Sequence, residues 1–241
     1  MSRSRLNSRT NASIPRGLRL AIKIGGSILI GAKGPKQGYL KRLIPVINEI
    51  KKNSKLLILG IGGGKLVRNY FSSIKHLLNE QEMEWVGIDL LHANARFLAF
   101  LFKGIPVPDL NDVKKLNGKN PAAKVLTVSG LKPGRSTDAN TALLAEKFGV
   151  HAFIILTDVD GIYDRDPKKY KSAKLIEKIK FSELERFAQR DTSPGNYGVV
   201  DPLAIKIIAR SKIRTHIING KRPENLLKLL RGEKIGTEIC E

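Results

Sequence analysis

The sequence predicts an α/β fold, a three-layer αβα sandwich with a mostly parallel central sheet. Three observations predict it. Short apolar runs alternate with helical patterns along most of the chain, which favours a parallel sheet covered by helices on both faces. Glycine-rich turns follow several of these runs, at the strand ends where such sheets bind ligands. The 241 residues are 41% hydrophobic, which suits one large domain with a substantial core.

Five apolar runs are predicted to be buried strands. The first, LRLAIKIGG, begins at residue 18, and the second, KLLILGIGGG, ends in three glycines. Runs of this kind, bounded by glycine and polar residues, are typical of strands that are covered on both faces. The predicted strands are residues 18–26, 55–64, 124–130, 151–159 and 213–220.

Helical periodicity separates these strands. In YLKRLIPVINEIKKN, apolar side chains such as Leu43, Ile47 and Ile50 share one helical face. WVGIDLLHANARFLAFLF is apolar on most sides, which predicts a buried or interface helix. Pro202 stands in the first turn of DPLAIKIIARS, where proline is tolerated, and Gly232 closes the last helix. The predicted helices are residues 39–53, 65–78, 85–102, 137–146, 201–211 and 223–232.

Cysteine usage and hydropathy limit the classes of protein. The single cysteine, Cys240, supports neither a disulfide framework nor a cysteine-based metal site. We therefore expect a reducing compartment, and a cytoplasmic location. No uninterrupted apolar run approaches the roughly 18–20 residues of a membrane span, so no membrane association is expected.

The charge distribution is strongly basic. The formal net charge of +21 attracts anions, with nucleic acid and phosphorylated small molecules as candidate partners. Residues 1–17 are predicted to be a disordered basic arm, because the first 19 residues contain five arginines, no acid and no apolar period. A solvated tail, an organelle transit peptide and a nucleic-acid tether share this composition. Residues 18–241 are predicted to form a single domain.

The strand ends carry the chemical information. The predicted strands end in KIGGS, GIGGGK, SGLKPGRSTD and TDVDG, and three of these are glycine-rich segments leading toward helices. Glycine lets backbone N–H groups approach a phosphate closely, and a helix N-terminus adds a favourable dipole. One such turn is weak evidence, but three in one sheet predict a polyphosphate held beside a second phosphate.

None of these loops matches the G-x-x-x-x-G-K-[ST] phosphate loop or a dinucleotide-binding G-x-G-x-x-G. The set resembles the amino acid kinase superfamily over residues 20–239, which implies that family's carbamate kinase-like fold. Within it the sequence is most similar to the archaeal type of UMP kinases. The segments that carry the resemblance are IGGGKLVRNY, WVGIDLLHANA, PGRSTDANTALLAE, TDVDGIYDRDPKK and DPLAIKIIARSKI.

The resemblance implies phosphoryl transfer from ATP to UMP, in which the protein positions the reactants and neutralises charge. Lys23 would reach the transferring phosphate, Lys206 would be a second cation, and Asp138 would hold the lysines and loops in place. Each has a simpler interpretation. Lys23 could be a solvent-facing strand lysine, Lys206 a helix lysine with its head in water, and Asp138 a helix-end charge.

For the donor, the resemblance implies contacts with ATP phosphates, ribose and base. Arg68 could equally be a surface arginine of an amphipathic helix. Mg²⁺ would be held mainly by phosphates and water, so we expect no protein metal ligand. The implied ATP-binding residues are Gly26, Ser27, Gly64, Arg68, Thr157, Asp158, Tyr163 and Asp166.

For the acceptor, the resemblance implies a site in the N-terminal half, to about residue 130, with ATP bound by the C-terminal half. Glu84 stands where these kinases usually carry an aspartate, so it could bind the ribose or signal a changed acceptor. Thr137 could instead be a helix N-cap. The implied UMP-binding residues are Gly63, Glu84, Leu131, Lys132, Pro133, Gly134, Arg135, Ser136 and Thr137.

Two alternatives stay open. A sister kinase of the same fold could act on another small phosphate or carboxylate such as isopentenyl phosphate, whose kinases place a histidine in the region of His92. A non-catalytic, RNA-binding paralogue would account for the charge excess, although the retention of Lys23, Asp138 and Lys206 argues against it. A homo-oligomer, hexamer or dimer, is expected by resemblance.

Overall fold

The computed structural model describes residues 13–109, 124–188 and 200–241. The strands are β1 (Leu18–Ile24), β2 (Ile30–Gly31), β3 (Gly34–Pro35), β4 (Ser54–Ile61), β5 (Ile105–Val107), β6 (Val125–Val128), β7 (Ala152–Thr157), β8 (Lys178–Lys180), β9 (Thr215–Asn219) and β10 (Thr237–Cys240). The helices are α1 (Gly26–Leu29), α2 (Gln37–Asn53), α3 (Gly64–Ile74), α4 (Glu80–Phe102), α5 (Thr137–Lys147), α6 (Phe181–Ala188), α7 (Pro202–Ser211) and α8 (Asn225–Leu230).

An eight-stranded sheet forms the middle layer, in the order β5–β6–β4–β1–β7–β9–β10–β8. The six strands from β5 to β9 in this order are parallel. β10 runs antiparallel to β9, and β8 pairs parallel with β10, so two strands at one side are reversed. The predicted fold class, mostly parallel α/β, is confirmed.

Both faces of the sheet are covered, which explains the continuous apolar runs in the sequence. On β1, Ala21 faces the layer that contains α5, α6 and α7. Its neighbours Leu20 and Ile22 face the layer of α2, α4 and α8. Burying a large aliphatic side chain contributes about 1.5–3 kcal/mol to the free energy of unfolding. Because alternate residues of a strand face opposite layers, one sheet contributes to two hydrophobic cores.

The helix α4 begins earlier than predicted. Asn79 is its N-cap and accepts from the Glu82 backbone N–H, while the Glu82 side chain accepts from the Asn79 N–H. This capping box adds a polar first turn before the apolar segment that begins at residue 85. With 23 residues and a mean hydropathy of 1.2 in its most apolar window, α4 is long and apolar enough to cross a membrane, a test that core helices also pass. Here it packs beside β5 and β6 in the sandwich.

The boundary expected for the basic arm is wrong at its C-terminal end. Ile14 is 4% exposed and belongs to the core that includes α2, α4 and α8. The Gly17 N–H donates to the Asn53 carbonyl at the end of α2. Residues 13–17 are therefore part of the fold. The sequence did not predict this, because a single apolar residue gives no periodic signal. Residues 1–12 lie outside the described part of the chain.

Candidate active site

The site begins with a lysine on the central strand. Lys23 is on the same face of β1 as Ala21, and its register partner on β4 is Gly60. A Cβ on Gly60 would collide with the Thr141 side chain of α5, so the missing side chain lets α5 approach the sheet closely. Lys23 therefore points toward α5 near the carboxyl end of the strand.

The start of α5 supplies its partner. Ser136 caps the helix by accepting from the Ala139 N–H at 3.1 Å, so the N-cap is Ser136 and not Thr137. Asp138 follows in the first turn, where the helix dipole favours a carboxylate. Lys23 Nζ lies 2.6 Å from Asp138 Oδ1, with the side chains 16% and 11% exposed. The structure thus brings two of the three predicted catalytic residues into one partly buried ion pair.

Lys23, but not Asp138, lines a cleft of about 250 Å³ at the carboxyl ends of β1, β4 and β7. Backbone forms much of its wall, because the glycine-rich segments after β1 and β4 lie against each other. A Cβ on Gly26 would lie 2.5 Å from the Gly64 nitrogen, and Gly64 has a φ of +64°. The lining residues are Lys23, Gly25, Gly26, Ser27, Gly62, Gly63, Gly64, Arg68, Leu156, Thr157 and Asp158.

The cleft is suited to an anion. α3 begins at its wall with Gly63 as N-cap, and no side chain caps the first turn. Uncapped N–H groups at a helix N-terminus, together with the helix dipole, attract phosphate. Lys23 and Arg68 add two cations to the lining of the cleft. The arrangement can hold a polyphosphate through backbone N–H groups and neutralise its charge with two cations.

The end of β7 supplies the opposite wall. The Gly25 N–H donates to the Leu156 carbonyl at 2.9 Å, and the Gly220 N–H donates to the Thr157 carbonyl at 2.8 Å. Asp158 forms an ion pair with Lys168 at 3.1 Å. Burial acts to raise the pKa of Asp158, but the hydrogen bond and positive charge of Lys168 outweigh it and lower the pKa below its ordinary value. Asp158 is therefore an anion tied to the loop that follows it.

Tyr163 and Asp166, also predicted for the donor, build that loop and are not among the cleft-lining residues. The Tyr163 hydroxyl donates to Asp160 at 3.1 Å, and Asp160 also accepts from Asn219 at 2.9 Å. Burial, and then the charge of Asp160, raises the pKa of Tyr163. Asp166 accepts from the Lys168 backbone N–H at 2.9 Å.

The loop predicted for the acceptor lies across α4. Glu84 Oε1 accepts from the Gly134 N–H at 3.3 Å, and Gly134 has a φ of +69°. His92 Nε2 lies 2.8 Å from the Gly130 carbonyl oxygen. These contacts hold the start and the middle of the loop against one helix. Leu131 is buried, Lys132 and Gly134 are exposed, and Pro133, Arg135, Ser136 and Thr137 are half-buried.

In and next to this loop lie buried polar atoms without a partner in the described part of the chain. Asn140 donates from Nδ2 to the Ser129 carbonyl at 2.8 Å. Its Oδ1, the Ser129 hydroxyl oxygen and the Arg135 Nε are buried and have no hydrogen-bond partner among the described residues. Buried polar atoms are normally paired, so this layer has unused capacity to bind a polar group or ordered water.

Lys206 is not brought into the cleft. It lies on the exposed side of α7, whose Ala204, Ile205 and Ile207 are buried. The segment before this helix, residues 189–199, lies outside the described residues. The role of Lys206 as a second cation stays a prediction, and Arg68 is the other predicted cation that lines the cleft.

Some residues of the site were missed from the sequence. Gly62 and Leu156 line the cleft but carry no functional group that a motif would single out. Lys36 donates to the Ser27 carbonyl at 2.7 Å, and Asn94 donates to the Gly62 carbonyl at 3.4 Å. Asn94 belongs to the segment LLHANA, one of the motifs that carry the family resemblance, so the sequence did contain a signal that could have identified it. Lys36 and Lys168 gave none, because lysines are frequent throughout this chain.

Comparison with known proteins identifies the family of the chain. A model of the amino acid kinase family matches residues 19–219. The uridylate kinase of Thermofilum pendens is 34% identical over 226 residues, covering 91% of this chain and 96% of that protein. The uridylate kinase of Pyrococcus abyssi is 35% identical over 225 residues, covering 92% and 99%.

Solved structures extend the comparison. The crystal structure of uridylate kinase from Archaeoglobus fulgidus superposes with a TM-score of 0.77 at 32% identity, covering 92% of this chain and all of that one. The UMP kinase of Bacillus anthracis has a TM-score of 0.73 at 20% identity, covering 93% and 97%, which shows the shared fold alone. The resemblance seen in the motifs is confirmed, and the chain belongs to the amino acid kinase family.

Proposed function

We propose that this protein is a UMP kinase that transfers the γ-phosphoryl group of ATP to UMP, forming UDP and ADP. The observation that carries the proposal is Lys23, which lines a glycine-walled cleft and is held by an ion pair with Asp138. A cation held by a carboxylate beside uncapped backbone N–H groups is what transfer between two anions requires. The uridylate kinases to which this chain is similar support UMP as the acceptor.

In the reaction, a UMP phosphate oxygen bonds to the γ-phosphorus of ATP while the bond to the β–γ bridging oxygen breaks. ADP leaves with that electron pair. Lys23 stabilises the negative charge on the transferring group, and Asp138 holds the Lys23 ammonium in position. Asp138 is a positioning residue here, because its contact is with Lys23. Electrostatic stabilisation of this kind needs no covalent step on the protein.

The two substrates take opposite sides of the pair. Gly26, Ser27 and Gly64 offer backbone N–H groups to the ATP phosphates with Arg68 as a second cation, and Thr157 and Asp158 border the adenosine. Tyr163 and Asp166 support that side through the loop after β7. Lys206 is proposed as a further cation near ATP.

UMP takes the side of Gly63, Glu84 and the loop 131–137. The unpartnered polar atoms of Arg135 in this loop and of Ser129 and Asn140 next to it support a polar ligand there. Glu84, already an acceptor for the Gly134 N–H, has a second carboxylate oxygen for a ribose hydroxyl. We keep the division into an acceptor half, to about residue 130, and a donor half as a proposal. The glycine-rich turns at Gly26 and Gly64 would reach the ATP phosphates from the first half, and the acceptor loop lies just beyond the boundary.

Mg²⁺ is proposed to enter with ATP and to neutralise phosphate charge. Within the described residues no group of three or more His, Cys, Asp or Glu side chains is placed to hold a metal ion. The carboxylate among the cleft-lining residues is Asp158. This donor set suits a magnesium ion that keeps phosphate and water ligands, as Mg²⁺ commonly does.

The test is a substrate panel. Purified protein with Mg-ATP is offered UMP, CMP, dUMP, isopentenyl phosphate or amino acids, and ADP release is measured. UMP should be strongly preferred. Turnover of isopentenyl phosphate without UMP turnover would replace the acceptor assignment, and no ADP release with any acceptor would refute the kinase proposal.

We further propose a cytoplasmic homo-oligomer, a hexamer or dimer. The outer face of α4 supports association, because Trp85 and Phe100 are 50% and 75% exposed on it. Light scattering of the purified protein measures the mass directly. A monomeric mass at micromolar concentration would refute the oligomer.

A further inference from the structure

The edge of the sheet opposite the cleft is basic. Six parallel strands begin there, and α2, α4, α5 and α7 end there. We define this amino edge as residues 16–19, 51–55, 103–104, 124, 147–151 and 212–214, which contain no Asp or Glu. Its lysines and arginines are Arg16, Arg19, Lys51, Lys52, Lys55, Lys103, Lys124, Lys147, Lys212 and Arg214.

The strand registers arrange these cations in a row. Continuing the β5–β6 register places Lys103 beside Lys124. Lys55 on β4 and Arg19 on β1 follow on the next two strands, and Arg214 lies at the start of β9. Neighbouring strands are about 4.8 Å apart, so these five cations span six strands over roughly 24 Å. The strand between Arg19 and Arg214, β7, is preceded by His151 and adds no lysine or arginine to the row.

Local structure accounts for only part of this charge. Three of the side chains satisfy carbonyls near helix ends: Lys51 donates to Phe102 at 2.6 Å, Arg19 to Phe148 at 3.0 Å and Lys124 to Lys52 at 3.2 Å. Two pair with carboxylates from the C-terminal strand: Lys212 with Glu241 at 3.0 Å and Arg214 with Glu238 at 3.4 Å. Side chains of the edge with neither kind of contact to a described residue are Arg16, Lys52, Lys55, Lys103 and Lys147.

We propose that the amino edge binds the sugar-phosphate backbone of a nucleic acid, independently of base sequence. At β5, β6, β4 and β1 the cations Lys103, Lys124, Lys55 and Arg19 have no ion pair with a described carboxylate, and such a row matches a linear row of phosphates. Glu238 and Glu241 neutralise part of the charge at the β9 end. The edge has no exposed Phe, Tyr or Trp, since its one aromatic residue of these types, Phe148, is buried. Stacking on bases is therefore not available, and the contacts are to phosphates. The site goes beyond the kinase proposal and lies across the sheet from the cleft, so both can be occupied at once.

The test measures nucleic-acid binding against salt. Fluorescence anisotropy follows labelled single-stranded RNA and DNA of about 20 nucleotides with the full-length protein. Binding should weaken steeply as salt rises and should be similar for both polymers. The variant Lys52→Gln/Lys55→Gln/Lys103→Gln removes three exposed cations that make no side-chain contact to a described residue. It should lower the slope of log K against log salt by about 2, at roughly 0.7 per lost phosphate contact on a single strand.

The matched control is Lys33→Gln/Lys41→Gln/Lys171→Gln, which removes the same charge from exposed lysines outside the edge. It should bind like the wild type, and both variants should keep wild-type ADP release with UMP. Equal weakening by the two variants would refute the edge as the site. So would absence of binding at about 100 mM salt, or binding to phosphatidylserine vesicles without binding to nucleic acid. Loss of kinase activity in the edge variant alone would also overturn the proposal, because the edge would then belong to the catalytic machinery.

Discussion

Replacing Lys23 with Gln tests the ion pair on which the proposed mechanism depends. The substitution keeps the length of the side chain nearly constant and removes its charge. Asp138, 11% exposed, then loses the cation that lies 2.6 Å away. Losing a charge-assisted contact in a partly buried setting costs roughly 1.5–3 kcal/mol of unfolding free energy.

The catalytic effect should be separable from this loss of stability. Removing one group that stabilises developing charge lowers kcat about 10²-fold, or roughly 2.7 kcal/mol of activation free energy. Steady-state assays with saturating UMP and Mg-ATP measure kcat, and urea unfolding measures the free energy of unfolding. Under conditions where the variant is fully folded, the fall in kcat should persist. Lys206→Ala should also lower kcat about 10²-fold if that lysine reaches the nucleotide.

A double-mutant cycle gives the refuting outcome. Lys23→Gln, Asp138→Asn and the double variant should show a coupling in unfolding free energy of about 1–3 kcal/mol, as contacting charged residues do. Lys178→Gln, an exposed strand lysine on β8, serves as the control and should change neither stability nor kcat. Wild-type kcat in Lys23→Gln, or a coupling below about 0.5 kcal/mol, would remove the pair from the mechanism.

Three further predictions follow from individual residues. Glu84→Gln should raise KM for UMP, with a loss of roughly 1.5–3 kcal/mol of UMP binding free energy, and should not change KM for ATP. Glu84→Asp should keep activity with UMP. Unchanged UMP kinetics in both variants would mean that Glu84 only anchors the loop. Burial, offset in part by Glu238 and reinforced by Arg214, lowers the pKa of His216 to about 4. The unfolded chain therefore takes up a proton near pH 6.5 that the folded chain does not. The free energy of unfolding should fall by roughly 3 kcal/mol as pH drops from 6.5 to 4. The urea midpoint of His216→Gln should fall less over this range than that of the wild type, and identical pH profiles of the two proteins would contradict this. Deletion of residues 1–12 should leave kcat and KM unchanged, whereas deletion of residues 1–17 removes buried Ile14 and should cost about 1.5–3 kcal/mol of stability, measured by thermal unfolding.

The sequence by itself determined most of the layered fold, because the pattern of apolar residues within each segment reflects how that segment is buried. Strands covered on both faces are apolar along most of their length, so β1, β4 and β7 can be identified in the sequence as continuous apolar runs. The amphipathic period of α2 marks its buried face. The short strands β5, β8 and β10 were not predicted. Each has only three or four residues, and segments as short as TEIC and KIK cannot show a reliable period of two. Ile14 escaped notice for the same reason.

Tertiary structure decided which chemical groups meet. Motifs identified Lys23 and Asp138 separately, but their contact depends on strand register and on the space that Gly60 leaves for α5. Likewise Glu84 meets the Gly134 N–H across 50 residues of sequence, and Asp158 meets Lys168 only because the chain turns back after β7. The cationic edge is the clearest case. The lysines and arginines of this amino edge come from six separate segments of the sequence. They meet only because parallel strands begin, and the helices before them end, at one side of the sheet.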